Sequence, residues 1–456
     1  MKFKGVFLAA ILTVVLCICG NLLAYSGGTG EPNSPYKIAN VPDFQQLTID
    51  PNNWNKSFIL TADVNLAGVT LTPVGNSSTQ FTGVFDGNDN IISNAVINQP
   101  SINNVGLFGY VGSGGQIRNL GVKNVNITGS SYVGGLVGLN VEGTVTSCYA
   151  TGSVSGTNND VGGLVGANGS GTLTSCYATG SVTGSFLAVG GLAGRNGDGT
   201  LTGCYATGSV SGFSDVGGLV GWNVGGTATT CYATGLVNGT RSNVGGLVGR
   251  NEDGTVTSCY ATGSVSETAF DVGGLVGYKT GGGSISGSYF LITSGPDNGY
   301  GTPLTDAQMK QQSNFVGWDF VGETANGTND IWKICNGTNY PKLAWQKPLS
   351  GDFVCPDGVE IYDLAALGDQ WLVEEIPADL APPTGDGIVN FADFAVFASQ
   401  WGDSKDIYAL NDFAEQWLKV GLRRCSADIS PLPDGDGVVN MLDFAMFAEN
   451  WLRGTF

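Results

Sequence analysis

The amino-acid sequence predicts an all-β parallel solenoid built from ~28-residue coils, followed by a small all-α domain. Three observations predict it. Val-Gly-Gly-Leu begins at Val133, Val161, Val189, Val216, Val244 and Val272, in steps of 28, 28, 27, 28 and 28 residues. Cys-Tyr-Ala-Thr-Gly recurs with the same steps, at Cys148, Cys176, Cys204, Cys231 and Cys259. A fixed period of this length marks a solenoid. Within the period, short runs of Val, Thr, Tyr and Leu are cut by Gly and Asn, the pattern of strands and turns. The third observation concerns the last quarter, where two acidic segments 50 residues apart each lead into a helical apolar stripe.

Composition narrows the function. The chain has 456 residues, 73 glycines, no histidine and a net charge of −19. Without histidine there is no Ser–His or Cys–His nucleophile and no His-bearing zinc or iron site. The acidity argues against nucleic acid or an anionic membrane surface as partner. Residues 351–456 hold 19 of the 38 acids and five of the 19 bases, hence −14 of the total. A hard cation is therefore sought in that segment.

The chain divides as follows. Residues 1–24 read as a signal peptide: Lys2 and Lys4, an apolar run from Val6 to Cys19, and Ala24 as the expected cleavage point. The apolar run is too short to span a bilayer, and no second one follows. Secretion is the expected fate, with no membrane span. Residues 25–104 are expected to form an N-terminal cap and the first coils, 105–295 the repeat solenoid, and 296–350 a C-terminal cap or linker.

Stacked coils place equivalent residues in columns. In the column Leu120, Cys148, Cys176, Cys204, Cys231, Cys259, Ser288, the leucine indicates an inward face and small buried thiols. Disulfides within it are the alternative in an oxidising compartment. Five cysteines cannot all pair, and stacked Cβ atoms sit somewhat beyond disulfide geometry. The next column, Tyr149, Tyr177, Tyr205, Tyr232 and Tyr260, then points outward. It reads either as ring-on-ring packing between coils or as a candidate ligand face that stacks sugar rings. Asn140, Asn168, Asn196, Asn223 and Asn251 read as structural, at left-handed turns or bonding along the stack. Asp160, Asp215 and Asp271 precede Val-Gly-Gly and read as a solvated turn edge.

Val-Gly-Gly-Leu-Val-Gly followed by Cys-Tyr-Ala-Thr-Gly resembles the GLUG-motif repeat of bacterial secreted and surface proteins, over roughly residues 82–290. That resemblance implies a repetitive scaffold, at times in adhesins and at times beside a catalytic domain. It implies no reaction. Upstream, Phe58–Asp63 and Phe81–Gly87 look like opening coils; downstream, Phe315–Phe320 and Asn339–Leu343 look like a closing element, such as open strand ends need.

In the tail, Asp386-Gly-Ile-Val-Asn390-Phe-Ala-Asp393 matches Asp436-Gly-Val-Val-Asn440-Met-Leu-Asp443. The spacing is that of the last two-thirds of a calcium-binding loop, with Asp386 and Asp436 at position 5, Asn390 and Asn440 at 9, and Asp393 and Asp443 at 12. Asp434 adds a position-3 ligand, whereas Thr384, Pro382 and Leu432 break the pattern. This arrangement resembles a dockerin domain over about residues 351–456. The resemblance implies Ca2+ as cofactor and a cohesin-like partner or cell-surface component. Partner choice would fall to Phe391, Ala392, Met441 and Leu442, which are apolar where dockerins commonly carry hydroxyls. Cys335, Cys355 and Cys425 leave room for one disulfide.

The reading that follows is a secreted, non-catalytic scaffold or adhesin-type protein with a calcium-dependent docking tail and a polysaccharide as candidate ligand. Two others stand beside it. One is a β-helix lyase or hydrolase of polysaccharide breakdown; such a site needs clustered acids at irregular positions, which this array lacks. The other is a mechanical spacer.

Overall fold

The structure, a computed structural model, describes residues 25–266 and 269–346. The signal-peptide reading of 1–24 and everything assigned to 351–456 lie outside the described residues. This covers the calcium set Asp386, Asn390, Asp393, Asp434, Asp436, Asn440 and Asp443, the partner positions Phe391, Ala392, Met441 and Leu442, and Cys355 and Cys425. The described residues fall in two units: those through Met309 together with Ser313–Ile331, and Lys310–Gln312 together with those from Trp332 onward.

The first unit is a parallel β-solenoid. Each coil of the array runs through three sheets in the same order. A Thr-x-Thr strand comes first; the series from Tyr36–Ile38 to Ser284–Ser286 forms a ten-stranded sheet among the described residues. The Tyr-Ala and Ser-Val-x-Gly segments follow in the second and largest sheet, which continues to Val-Gly-Gly. The Val-Gly-x-Asn strand then enters the third sheet, from Phe108–Val111 to Val276–Thr280. Pairing is parallel and in register: Thr144 lies opposite Thr172, Tyr149 opposite Tyr177, and Asn140 opposite Asn168.

Three corners per coil turn the chain, and each uses a left-handed residue. One column is Ser147, Ser175, Gly203, Thr230 and Ser258; another is Glu142, Ser170, Asp198, Gly225 and Asp253; the third is Tyr132, Asp160, Ala188, Asp215, Asn243 and Asp271. Positive φ costs a non-glycine residue of the order of 1 kcal/mol, least for Asn and Asp. The corners therefore carry mixed residue types and leave no motif.

Inward columns fill the interior. Val145, Leu173, Leu201, Ala228 and Val256 form one, and Leu136, Leu164, Leu192, Leu219, Leu247 and Leu275 another; all are fully buried. Val-Gly-Gly is explained by close approach. A Cβ on the second glycine, at Gly163, Gly191, Gly218 or Gly246, would lie 2.0–2.2 Å from the carbonyl oxygen of the next coil's glycine.

At the start, a helix, Val41–Ile49, lays Phe44 and Leu47 on the core. Asn40 caps it by accepting from the Asp43 amide at 3.1 Å, and the Trp54 indole donates to the Leu47 carbonyl at 2.8 Å. At the other end, Phe315, Trp318 and Phe320 are buried, and the Trp318 indole donates to the Gly287 carbonyl at 2.8 Å. In the second unit, Trp332–Lys333 pairs antiparallel with Lys342–Leu343, and Cys335 is disulfide-bonded.

Candidate functional site

The five repeat cysteines are buried free thiols, as the inward reading expects. They do more than fill space. Each thiol donates to the carbonyl two residues back, at 3.1–3.3 Å. The Cys204 and Cys231 amides donate to the sulfur of the next coil, at 3.4 and 3.3 Å. Ser288 ends the column in the same role, accepting from the Cys259 amide at 3.1 Å and donating to the Ser286 carbonyl at 2.9 Å. Burial pushes the Cys148 thiol up to about 12, so it stays protonated and unreactive.

The asparagines form a continuous buried ladder. Each Nδ2 donates to the Oδ1 of the next: Asn140 to Asn168 at 2.8 Å, Asn168 to Asn196 at 2.9 Å, Asn196 to Asn223 at 2.8 Å, Asn223 to Asn251 at 2.7 Å. The second Nδ2 proton goes to the carbonyl of the glycine three residues on, at 2.8–3.1 Å. None of the five adopts a left-handed backbone; the turn residue lies two positions further on.

Tyr149, Tyr177, Tyr205, Tyr232 and Tyr260 stack face to face, with centroids 4.7, 4.7, 4.9 and 5.0 Å apart and planes within 7°. The outer face of Tyr149 lies on Gly121, where a Cβ would sit 2.5 Å from the ring. Trp318 meets Tyr260 at 6.3 Å. The sugar-stacking alternative is corrected by this geometry: every ring face along the row is already covered. The row offers edges and hydroxyls at Tyr149, Tyr177 and Tyr205, while Tyr232 and Tyr260 are 4% and 1% exposed.

The corner acids also need correction. Asp160, Asp215 and Asp271 do occupy turns with positive φ, but only Asp271 is solvated. Asp160 and Asp215 are 5% and 2% exposed. Burial raises the Asp160 carboxyl to about 7, with Arg195 drawing it down and Asp215 adding to the rise. Burial raises Asp215 as well, opposed by the amide of Asn243 and by Arg250.

These aspartates sit beside a row that sequence reasoning passed over. On the third sheet Arg195 lies opposite Trp222, and Trp222 opposite Arg250. The guanidinium carbons stand 5.0 and 4.8 Å from the indole centroid, one on each side. Arg250 also pairs with Glu252 at 2.8 Å. The glycines preceding Arg195, Trp222 and Arg250 abut corner residues Asp160, Ala188 and Asp215 in turn. An acid thus stands beside each arginine and an alanine beside the tryptophan. That alternation, read along two columns, was the available signal. The row joins three coils by cation–π contacts, worth roughly 0.5–2 kcal/mol each.

A pH effect follows from Asp160. Its folded pKa lies above the ordinary ~3.9, so between about pH 4 and 7 the folded state holds a proton that the unfolded chain has lost. Stability then falls as pH rises through this window, by up to about 4 kcal/mol. Asp160→Asn is expected to remove this component, since Asn243 already occupies an equivalent corner. Thermal melts at pH 5.5 and 8 check it: the variant gains on the native protein mainly at pH 8.

Comparison with known proteins matches four segments, residues 129–155, 157–183, 187–211 and 240–266, to the family described as the GLUG motif. The coil between them, 212–239, stays in register although it is unmatched. The chain is 34% identical over 149 residues to "Halomucin" of Haloquadratum walsbyi, a stretch that is 30% of this chain and 2% of that protein. It is 31% identical over 150 residues to "Putative Gly-rich membrane protein" of Evansella cellulosilytica, covering 29% of this chain and 17% of that one. The chain thus spans a small fraction of the length of these relatives. Among solved structures, a putative immunoglobulin A1 protease from Bacteroides ovatus superposes with a TM-score of 0.49 at 21% identity, covering 71% of this chain and 96% of that one. A structure titled "IgA1 Protease" gives a TM-score of 0.41 at 15% identity, covering 55% of this chain and 21% of that one. The chain carries GLUG-motif repeats within a parallel β-solenoid.

Proposed function

We propose that this protein is a secreted, non-catalytic scaffold that works at a cell surface, attached through a calcium-dependent docking tail. One observation carries the reading of the solenoid. Its Asn, Cys and Tyr columns spend their hydrogen bonds and ring faces on the adjacent coils. Residues so used build an extended rigid support and leave little reactive chemistry along the array. The name of one relative, a Gly-rich membrane protein, is in keeping with a surface setting.

The docking part rests on the sequence of the tail. Asp386, Asn390 and Asp393, and Asp434, Asp436, Asn440 and Asp443, would supply oxygens for Ca2+. Phe391, Ala392, Met441 and Leu442 would face the cohesin-like partner.

Calorimetric titration of the full chain with calcium tests this proposal. Heat of binding is expected from the native protein and is expected to vanish in the double variant Asp393→Ala with Asp443→Ala, which lacks both position-12 carboxylates. Unchanged uptake in that variant would refute the ligand assignment. Sustained release of reducing sugar from a polysaccharide mixture would remove the non-catalytic reading.

A further inference from the structure

The regular stack is interrupted twice, along one strand position of the third sheet and at the corner that precedes Val-Gly-Gly. Val74 and Phe81 pair with Phe108 and Val111, so six residues stand where the next coil has two. Ile97 and Val105 pair with Ile127 and Val133, so seven residues stand where the next coil has five. Later coils have five or six at that corner. Both enlarged loops line the same open groove, of about 570 Å³. In repeat architectures, insertions collect on the binding face, because the stack itself tolerates no change.

The groove is neutral: none of its lining residues is charged, and neither is any other residue of 64–85 or 90–117. Thr72, Gln99 and Ser101 offer hydroxyl and amide groups, which both donate and accept. Ile102, 53% exposed, adds an aliphatic patch between them.

The loops are held in shape before any ligand arrives. Asn76 Oδ1 accepts from the Ser78 and Thr79 amides at 2.9 and 3.0 Å. Asn103 Oδ1 accepts from the Ser131 amide at 3.1 Å, and the Thr157 hydroxyl donates to the Pro100 carbonyl at 3.0 Å. A preorganised wall of neutral donors and acceptors around an apolar patch suits a ligand that pairs hydroxyls with C–H faces.

We infer that this groove binds a neutral oligosaccharide, with Gln99 and Ser101 pairing with sugar hydroxyls and Ile102 against a ring face. The inference deepens the scaffold reading, on which it rests for an extracellular setting where glycans are met.

The test is calorimetric titration of the full chain with hexasaccharides from neutral glucan, mannan, galactan and xylan, and with uronate hexasaccharides alongside. Binding of at least one neutral probe is expected. Gln99→Ala deletes an amide of the lining while keeping the backbone bond to the Thr128 carbonyl, and is expected to weaken binding at least tenfold with an unchanged circular dichroism spectrum. Ile102→Ser, at an exposed position, is expected to do the same. No neutral probe bound at millimolar concentration, binding of the uronates alone, or affinity within twofold in both variants would each overturn the assignment. Calcium uptake without sugar binding would sink the groove and spare the scaffold. A bound probe that is cleaved would sink the non-catalytic reading and spare the groove.

Discussion

Replacing Asn196 with alanine is expected to lower the unfolding midpoint by about 6 °C, the largest effect of any single side chain in the array. Asn196 is fully buried and bonded on both sides. Its loss takes an acceptor from Asn168 and a donor from both Asn223 and the Gly199 carbonyl. Each buried group left unpaired costs about 1–3 kcal/mol, so about 4 kcal/mol or more is lost. In a domain of about 300 residues that corresponds to roughly 6 °C.

Asn196→Asp sharpens the test. A carboxylate only accepts, so it faces the Asn223 Oδ1 and the Gly199 carbonyl with no proton to give. Burial raises its pKa, and the protonated form restores one donor. The aspartate variant is therefore expected to be less stable than the alanine variant at pH 8, with the gap closing toward pH 5. Melts followed by circular dichroism at both pH values check this. An aspartate variant as stable as the native protein at pH 8 would refute the ladder.

Gly218→Ala is expected to be the most damaging change of one methyl group. The added Cβ would lie 2.1 Å from the Gly246 carbonyl oxygen and 2.9 Å from the Ala233 side chain. The obstacle is backbone, so no rotamer relieves it, and adjacent coils must part. Overpacking of this kind costs about 3 kcal/mol or more. Gly169→Ala is the control: its Cβ would find nothing nearer than 3.7 Å, and Val141 stands in the same column. Hydrogen exchange should show faster opening around residues 210–250 in the first variant and native protection in the second. Equal protection would mean that the glycine column has a reason other than close approach.

Much of this architecture was legible in the spacing. Two independent strings with one period set the register, and the structure pairs Tyr-Ala with Tyr-Ala as that period requires. The inward thiols were legible from Leu120 at one end of their column. Other features were hidden for identifiable reasons. Aspartate ordinarily signals solvent, so Asp160 and Asp215 read as exposed until the third sheet was seen to cover them. Tyrosine pointing outward left two readings, ring-on-ring packing and a free ring face; rings stacked with centroids 4.7 Å apart decide for the first. The left-handed corners carry Ser, Thr, Asp, Glu, Ala and Tyr, and so leave no motif. The groove lies in residues 72–104, where the repeat has not yet settled and periodicity has nothing to report.

The most direct measurement is the distance between spin labels on cysteines introduced at Thr144 and Thr200, exposed positions two coils apart in the first sheet. Stacked strands ~4.8 Å apart predict a backbone separation of about 10 Å, and continuous-wave spectra at low temperature should show strong dipolar broadening. Sharp spectra, with the labels more than about 20 Å apart, would contradict a solenoid in which each repeat lies flat on the one before.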